Sequence, residues 1–499
     1  MSATAIEYDL KPRVSAYLAE RHRLFIDGEF VDSASDEEIP VLDPATGAEI
    51  ARVPSGNATD IDRAVAAARA AFDSGPWSRI KPTDRAKLIW KLADLLEEHA
   101  EELAELESLD NGKPKKAALE GDVAGSIEMF RYFSGWATKI EGTQIPFASE
   151  APGDYLTYTN RVPVGVVGQI IPWNYPLMMI AWKFAPALAV GCTIVLKPGE
   201  QTPLSALYVA KLVQEAGFPD GVINIVTGYG ETAGAALAAH PQVDKVAFTG
   251  STEVGRLIVQ AAAGNLKKVS LELGGKSPNI VRPDADLDVT IPGAADAIFN
   301  NHGQDCSAGS RLFVHKSHFD KVVSGVADRA KDIRLGPGLD PDTDMGPLVS
   351  DEQLNRVVGY LQSGVEIGAR TLSGGKRRGD QGYFVEPTVF VDTKPSMSIV
   401  QEEIFGPVVA AIPFDDLDDL VATANNTTYG LAAGIWTTNL SKAHSIASKL
   451  RAGSVWINCY GVTDPAVPFG GFKQSGWGRE MGHEVLELYT ETRAVTIAL

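Results

Sequence analysis

The feature that most limits what this chain can become is an alternation of apolar, strand-like runs with amphipathic, helix-like runs from about residue 162 to residue 273. Residues 165–171 read as a strand and 177–190 as a helix. The pair recurs at 193–197 with 203–216, at 222–226 with 231–239, and at 243–248 with 254–263, and 269–273 closes the series. Such alternation predicts a parallel sheet covered by helices. Ligands of such sheets lie at the carboxyl ends of the strands. A second α/β series spans roughly 280–457, with strands at 311–315, 408–413 and 432–437 and helices at 317–333 and 417–425. Segments 335–344 and 374–382 are turn-rich and read as loops.

Ahead of the main series, residues 25–31 around Asp27-Gly28 read as a hairpin. Helical stretches follow at 60–72, 83–106 and 115–140, the second opening at Thr83 and Asp84 after Pro82. With 499 residues the chain exceeds one core, so two or three domains are expected. Residues 154–162 and 493–499 are strand-like and fit neither series. An oligomerisation arm and a local surface hairpin both remain open for them.

Lys and Arg number 45 against 64 Asp and Glu, a net charge of −19, which predicts repulsion from nucleic acid and anionic membranes. The three cysteines, Cys192, Cys306 and Cys459, are too few for a disulfide framework and point to a reducing, cytoplasmic setting. Residues 1–20 lack an apolar core followed by a small-residue cleavage site, so no signal peptide is expected. Residues 178–196 are apolar apart from Lys183 and nearly long enough to span a bilayer. Pro186, Gly191 and the run Thr193-Ile194-Val195 divide that stretch into a short helix and a buried strand.

Cys306 stands among Gly303, Gln304, Asp305 and Ser307, a polar setting in which a thiol can act as a nucleophile. Cys192, at the entrance to a strand, reads as a small buried hydrophobe. Glu272 ends an apolar strand, where a carboxylate is expensive unless paired or functional. Burial raises its pKa toward that of a general base; the plainer alternative is an ion pair with Lys276. Gly274-Gly275 lets the backbone approach something closely. Gly250 to Gly255 (GSTEVG) sits between a strand and a helix, either a phosphate site or only a tight turn. Lys197 and Glu200 end another strand of the sheet and can hold ribose hydroxyls; the Glu200 carboxylate would repel a 2′-phosphate, favouring NAD over NADP. Asn174, in Pro172-Trp173-Asn174-Tyr175-Pro176, is either an oxyanion donor or a helix cap.

Taken together, PWNYP, KPGE, FTGSTEVG, ELGGKSP, GQDCSAG, EEIFGPV and PFGGFKQSG, in this order from FIDGEF at residue 25 to SGWGRE at residue 475, resemble the aldehyde dehydrogenase superfamily. The resemblance implies an α/β fold with a Rossmann-like cofactor domain (1–145 and 165–277), a catalytic domain (278–483) and a small β oligomerisation flap (146–164 and 484–499). It implies a homodimer or homotetramer. It makes Cys306 the nucleophile, Glu272 the general base, and Asn174 with the Cys306 backbone N–H the oxyanion hole. Lys183 and Glu480 match positions associated with proton transfer. Cofactor contacts fall on Lys197, Glu200, Ser251, Glu403 and Phe405, and further on Ile170, Pro172, Trp173, Gly230, Gly250, Val254 and Leu273. No metal is implied. The expected reaction is NAD-dependent oxidation of an aldehyde to an acid through a Cys306 thioester.

Glu272 argues for hydrolysis over transfer to coenzyme A, and the presence of both Cys306 and Glu272 argues against a non-catalytic relative. Asp305, beside the nucleophile, would oppose thiolate formation unless it turns away into a salt bridge. Tyr175, Met179 and Trp182 share one helical face, either a core stripe or part of a substrate wall. With Asp305, Ser307, Val462, Thr463 and Phe469 they form the candidate substrate pocket. It suits an aromatic or medium-chain aldehyde, and the N-terminal and PFGG-region sequences are loosely similar to bacterial phenylacetaldehyde dehydrogenases. Asp305 and Asp464 support the alternative, an amino or trimethylammonio aldehyde.

Overall fold

The structure is a computed structural model and describes residues 6–148, 150 and 152–499, so the first five residues of the stretch read for a leader lie outside it. The first α/β series folds as an eight-stranded sheet. Its five parallel strands lie in the spatial order Lys268–Leu273, Lys245–Gly250, Val166–Ile170, Thr193–Lys197, Ile223–Ile225. From Val166–Ile170 the chain winds outward through Thr193–Lys197 and Ile223–Ile225. It then crosses back to build Lys245–Gly250 and Lys268–Leu273 on the other side. That reversal opens a crevice at the carboxyl end of Val166–Ile170, the usual ligand position of such sheets. The hairpin Leu24–Ile26 with Glu29–Val31 extends one edge. Its turn holds Asp27 and Gly28 at φ 55° and 77°, as a two-residue turn matched to strand twist requires. Gly476–Trp477 pairs antiparallel with Lys268–Leu273 at the other edge.

The second series forms a seven-stranded sheet, parallel except where Arg370–Ser373 joins Thr388–Val391 at its edge. The two segments that fitted neither series pair with each other: Tyr155–Pro163 runs antiparallel to Thr490–Ala498 along its whole length, with Gln144–Ile145 on its other side. Residues that bracket most of the chain therefore meet in one small sheet.

Some local readings change. Residues 83–106 form two helices, Pro82–Glu98 and Ala100–Asn111, broken at His99 (φ −101°, ψ 20°). Pro82 is the first helical residue, where a missing N–H costs nothing. Within 115–140 a π-helical turn, Ala118–Val123, interrupts the α-helix. Apolar spacing reports which face is buried, not the hydrogen-bond register, so neither break was visible. Helix Pro12–Ala19 and the ribbon Glu38–Asp43 with Ala48–Pro54 were not foreseen.

Residues 178–196 split as expected into helix Pro176–Val190 and strand Thr193–Lys197, and among the described residues no helix is long and apolar enough to cross a membrane. The helix is apolar all round because it lies against helices Pro82–Glu98, Ala124–Ser134 and Leu204–Ala216. Lys183, 0 % exposed within it, is the exception that needs a partner.

Candidate active site

Glu272 is placed by the strand Lys268–Leu273, opposite Thr249 in the register, with its side chain buried. Beyond it the backbone turns through Gly274 and Gly275. A Cβ on Gly275 would collide with the Cys306 carbonyl oxygen, and one on Gly274 with the Glu403 carboxyl group. The paired glycines thus let the end of the first sheet meet the nucleophile loop. Glu403 closes the junction by accepting from the Gly275 N–H at 2.8 Å.

Cys306 lies between the short turn Asn300–Gly303 and the strand Arg311–His315. Asn301, His302 and Gly303 are all left-handed, at φ 47°, 60° and 66°. For the two non-glycine residues this costs about 1–2 kcal/mol each. Hydrogen bonds hold the loop against that strain. Asn301 Nδ2 donates to the carbonyls of Asn174 (3.1 Å) and Gln304 (3.0 Å), and Gln304 Oε1 accepts from the Val349 N–H at 3.0 Å. Asn174 Nδ2 donates to the Gln304 carbonyl at 2.9 Å. Asn174 does not cap the helix: Tyr175 is the cap residue and makes no side-chain cap bond. The amide is instead tied to the loop carrying Cys306.

The thiol hydrogen-bonds with the Glu272 carboxyl. Burial, then Glu272, Asp305 and Glu403, push the thiol well above its usual range. Burial also raises Glu272 to about 8; Lys183 opposes the rise and Glu480 and Asp305 add to it. Both groups therefore rest largely protonated, each a proton donor or acceptor once its neighbour changes charge. Behind them Lys183 donates to Glu480 at 2.6 Å in a buried ion pair. Lys276 is not the partner of Glu272, since its ammonium, buried, has no hydrogen-bond partner among the described residues.

Among the described residues Asp305 makes no salt bridge. It accepts from the Tyr175 hydroxyl at 3.0 Å and from the backbone and hydroxyl of Ser307 at 2.7 and 2.8 Å. Its charge thus stays beside the thiol.

A cavity of 920 Å³ joins these groups. Cys306, Glu272, Asn174, Tyr175, Met179, Trp182, Asp305, Ser307, Thr463 and Phe469 line it. At its other end it reaches Pro172, Trp173, Gly250, Ser251, Glu403 and Phe405. Trp182 and Phe469 meet edge to face at 5.4 Å, as do Trp173 and Phe405 at 5.2 Å. Val462 does not line the cavity. It is 65 % exposed and accepts from Trp456 Nε1 through its carbonyl, so the loop reaches the pocket through Gly461 and Thr463 instead.

Ile170, Lys197, Glu200, Gly230, Val254 and Leu273 also stand outside the cavity wall. Lys197 and Glu200 are hydrogen-bonded to each other at the end of Thr193–Lys197. Ser251 caps helix Thr252–Ala262, accepting from the Val254 N–H at 3.2 Å. Cys192 is buried against the Tyr489 carbonyl, as a small hydrophobe would be.

Sequence reasoning missed Lys113, Asn111 and Arg356. Lys113 pairs with buried Asp122, donates to the Asn174 carbonyl at 3.1 Å and stands 4.4 Å above the Tyr175 ring. Asn111 holds the Trp173 carbonyl at 2.9 Å, and Arg356 the Glu403 carbonyl at 2.7 Å. Each lies far in sequence from what it supports, so no local signal marks it.

The sequence profile of the Aldehyde dehydrogenase family matches residues 30–495. The chain belongs to that family. A solved NAD⁺ complex of aldehyde dehydrogenase from Bacillus cereus is 53 % identical, with 99 % of this chain and 100 % of that one covered and a TM-score of 0.97. The mitochondrial benzaldehyde dehydrogenase of Antirrhinum majus is 49 % identical, covering 100 % of this chain and 92 % of the relative. Human retinal dehydrogenase 2 is 50 % identical over 96 % and 92 % of the two chains. This aldehyde dehydrogenase is thus almost equally similar to relatives named for quite different aldehydes, and overall identity does not select its substrate.

Proposed function

We propose that the chain oxidises an apolar aldehyde bearing a ring or a medium-length chain to its acid, with NAD⁺ and water as co-reactants. The observation that carries this reading is the wall of Tyr175, Met179, Trp182 and Phe469 in the same cavity as Cys306 and Glu272. Cys306 gives up its proton to solvent through the cavity and attacks the carbonyl carbon as the thiolate. The resulting oxyanion takes hydrogen bonds from the Asn174 amide and the Cys306 backbone N–H. Bound NAD⁺ supplies the hydride acceptor. Glu272 then takes a proton from water as that water attacks the Cys306 thioester, releasing the acid. Lys183 and Glu480, paired behind Glu272, accept the proton it collects.

The cofactor fits the carboxyl edge of the first sheet. Ser251 and Val254 leave the N-terminus of an eleven-residue helix exposed for a pyrophosphate. Lys197 with Glu200 presents donors and acceptors to ribose hydroxyls, and Glu403 with Phe405 flanks the nicotinamide end. Glu200 should make kcat/KM with NAD⁺ exceed that with NADP⁺, by about tenfold or more for an unscreened carboxylate facing a phosphate. Glu200→Gln should narrow the ratio. A wild-type preference for NADP⁺ would refute the assignment.

Cation recognition is the second reading, favoured by Asp305 and Asp464 on the same cavity wall. Side-by-side kcat/KM values for phenylacetaldehyde and 4-aminobutanal separate the two, with phenylacetaldehyde expected to be the better substrate. A clear preference for 4-aminobutanal overturns the apolar reading. The proposed division is 1–145 and 165–277 for the cofactor, 278–483 for catalysis, and 146–164 with 484–499 for assembly as a homodimer or homotetramer. Its three unpaired cysteines suit the cytoplasm.

A further inference from the structure

Asp305 stands beside the nucleophile, yet attack, hydride transfer and hydrolysis make no use of its charge. Its Oδ1 accepts from the Ser307 N–H at 2.7 Å and the Ser307 hydroxyl at 2.8 Å, and its Oδ2 from the Tyr175 hydroxyl at 3.0 Å. Three neutral donors hold the carboxylate in place and leave its charge uncompensated. A carboxylate held in this way acts at short range on any charge that forms or binds at the neighbouring thiol.

The cavity around it carries the same sign. Glu120, Glu128 and Asp464 line its wall and are exposed. Lys113 lines it too, but its ammonium is paired with buried Asp122. Arg356 lies at the cofactor end, where it donates to the Glu403 carbonyl. Burial lowers the His302 imidazole to about 3, so that ring stays neutral. Among the described residues of this wall, the substrate side thus holds no unpaired ammonium or guanidinium. Asp305 and Ser307 also line an adjoining chamber of 690 Å³, which sets Asp296, Asp332 and Asp344 against Arg329.

We infer that Asp305 sorts the ligands of the Cys306 site by charge: neutral aldehydes enter, aldehydes that already bear a carboxylate are refused, and the carboxylate left by hydrolysis is driven out. The inference rests on the reading that water resolves the Cys306 thioester, and it holds whether the aldehyde carries a ring or a chain. The acyl group on sulfur is uncharged. When water adds and the C–S bond breaks, one of its protons goes to the sulfur and the other leaves through Glu272, and the product is an anion. A negative charge therefore stays beside Asp305 only once the chemistry is complete. Repulsion between like charges several ångströms apart in a partly buried site weakens binding by about tenfold or more. It falls on the product and not on the neutral aldehyde, so product affinity drops while substrate affinity is kept. Glu120, Glu128 and Asp464, exposed to solvent, add a smaller part that salt screens.

The test compares two pairs of ligands, each matched in shape and differing in charge, on the NAD⁺-loaded enzyme near neutral pH. Succinic semialdehyde and its methyl ester share a chain, and kcat/KM for the ester should exceed that for the acid by about tenfold or more. Phenylacetate should inhibit oxidation of the ester more weakly than phenylacetamide by a similar factor. In Asp305→Asn, which keeps the size of the side chain and removes its charge, both ratios should fall toward one. Asp305→Ser serves if Asp305→Asn does not fold. Tyr175→Phe, which removes a hydrogen bond but keeps the charge, should keep both ratios, a result that altered packing alone would not give. Equal values within each wild-type pair, or ratios unchanged in a folded, uncharged variant, overturn the inference. Assay of the free acid separates the two claims. If reduced cofactor forms without matching acid, the hydrolysis reading fails, and the aldehyde pair still decides whether Asp305 sorts by charge.

Discussion

Cys306→Ala is expected to lower aldehyde oxidation by roughly 10⁴-fold or more, the scale seen when a covalent nucleophile is removed. NAD⁺ binding should persist, because the proposed cofactor contacts lie on other elements. Lys197 and Glu200 follow one strand, and Ser251 opens the helix after another. Truncation at Cβ also leaves the strained loop intact, since its ties run through Asn301, Gln304 and Asn174 rather than through sulfur. Cofactor titration by calorimetry and steady-state oxidation, measured on one preparation, check both halves. Turnover near the wild-type rate would remove Cys306 from the mechanism. Lost cofactor binding would mean that the thiol supports the fold of the cleft.

Glu272→Gln is expected to divide the reaction in time. A rapid burst of reduced cofactor should survive, followed by turnover slowed about 10²–10⁴-fold, because only thioester hydrolysis needs the base. The pH dependence has a definite sign. Burial holds the wild-type carboxyl at about 8, so below that pH it is mostly protonated and cannot take a proton from water. Single-turnover hydrolysis should therefore rise with pH through that region in the wild type and stay flat in Glu272→Gln. Complete loss of the burst would instead place Glu272 in acylation, where its hydrogen bond to the Cys306 thiol also positions it.

Much of this protein could be read from its residues because its strongest signals are local. Runs such as Thr193–Lys197 and Arg311–His315 are too short for helices, the first also rich in β-branched residues, and both are strands with those bounds. The Gly274-Gly275 pair showed that something approaches the strand end, since glycine is needed wherever a side chain would collide. Long-range chemistry was less accessible. Asp305 seemed to call for a cationic partner, yet neutral donors from Tyr175 and Ser307 satisfy it. Tyr175 lies 130 residues away in sequence, so nothing near Asp305 could announce it.

The amino-acid sequence by itself determined the alternating parallel architecture, the turn at Asp27-Gly28, and which thiol and which carboxyl group stand in chemically unusual surroundings. These follow from periodicity, β-branching and the cost of burying charge, all properties of a short window of chain. Only the tertiary structure decided that Tyr155–Pro163 and Thr490–Ala498 form one sheet, that Glu272 meets Cys306 rather than Lys276, and that Lys183 answers Glu480 from 297 residues away. Those pairings depend on where folding brings distant segments together, and in a low-dielectric interior a few ångströms of approach govern both proton affinity and reactivity.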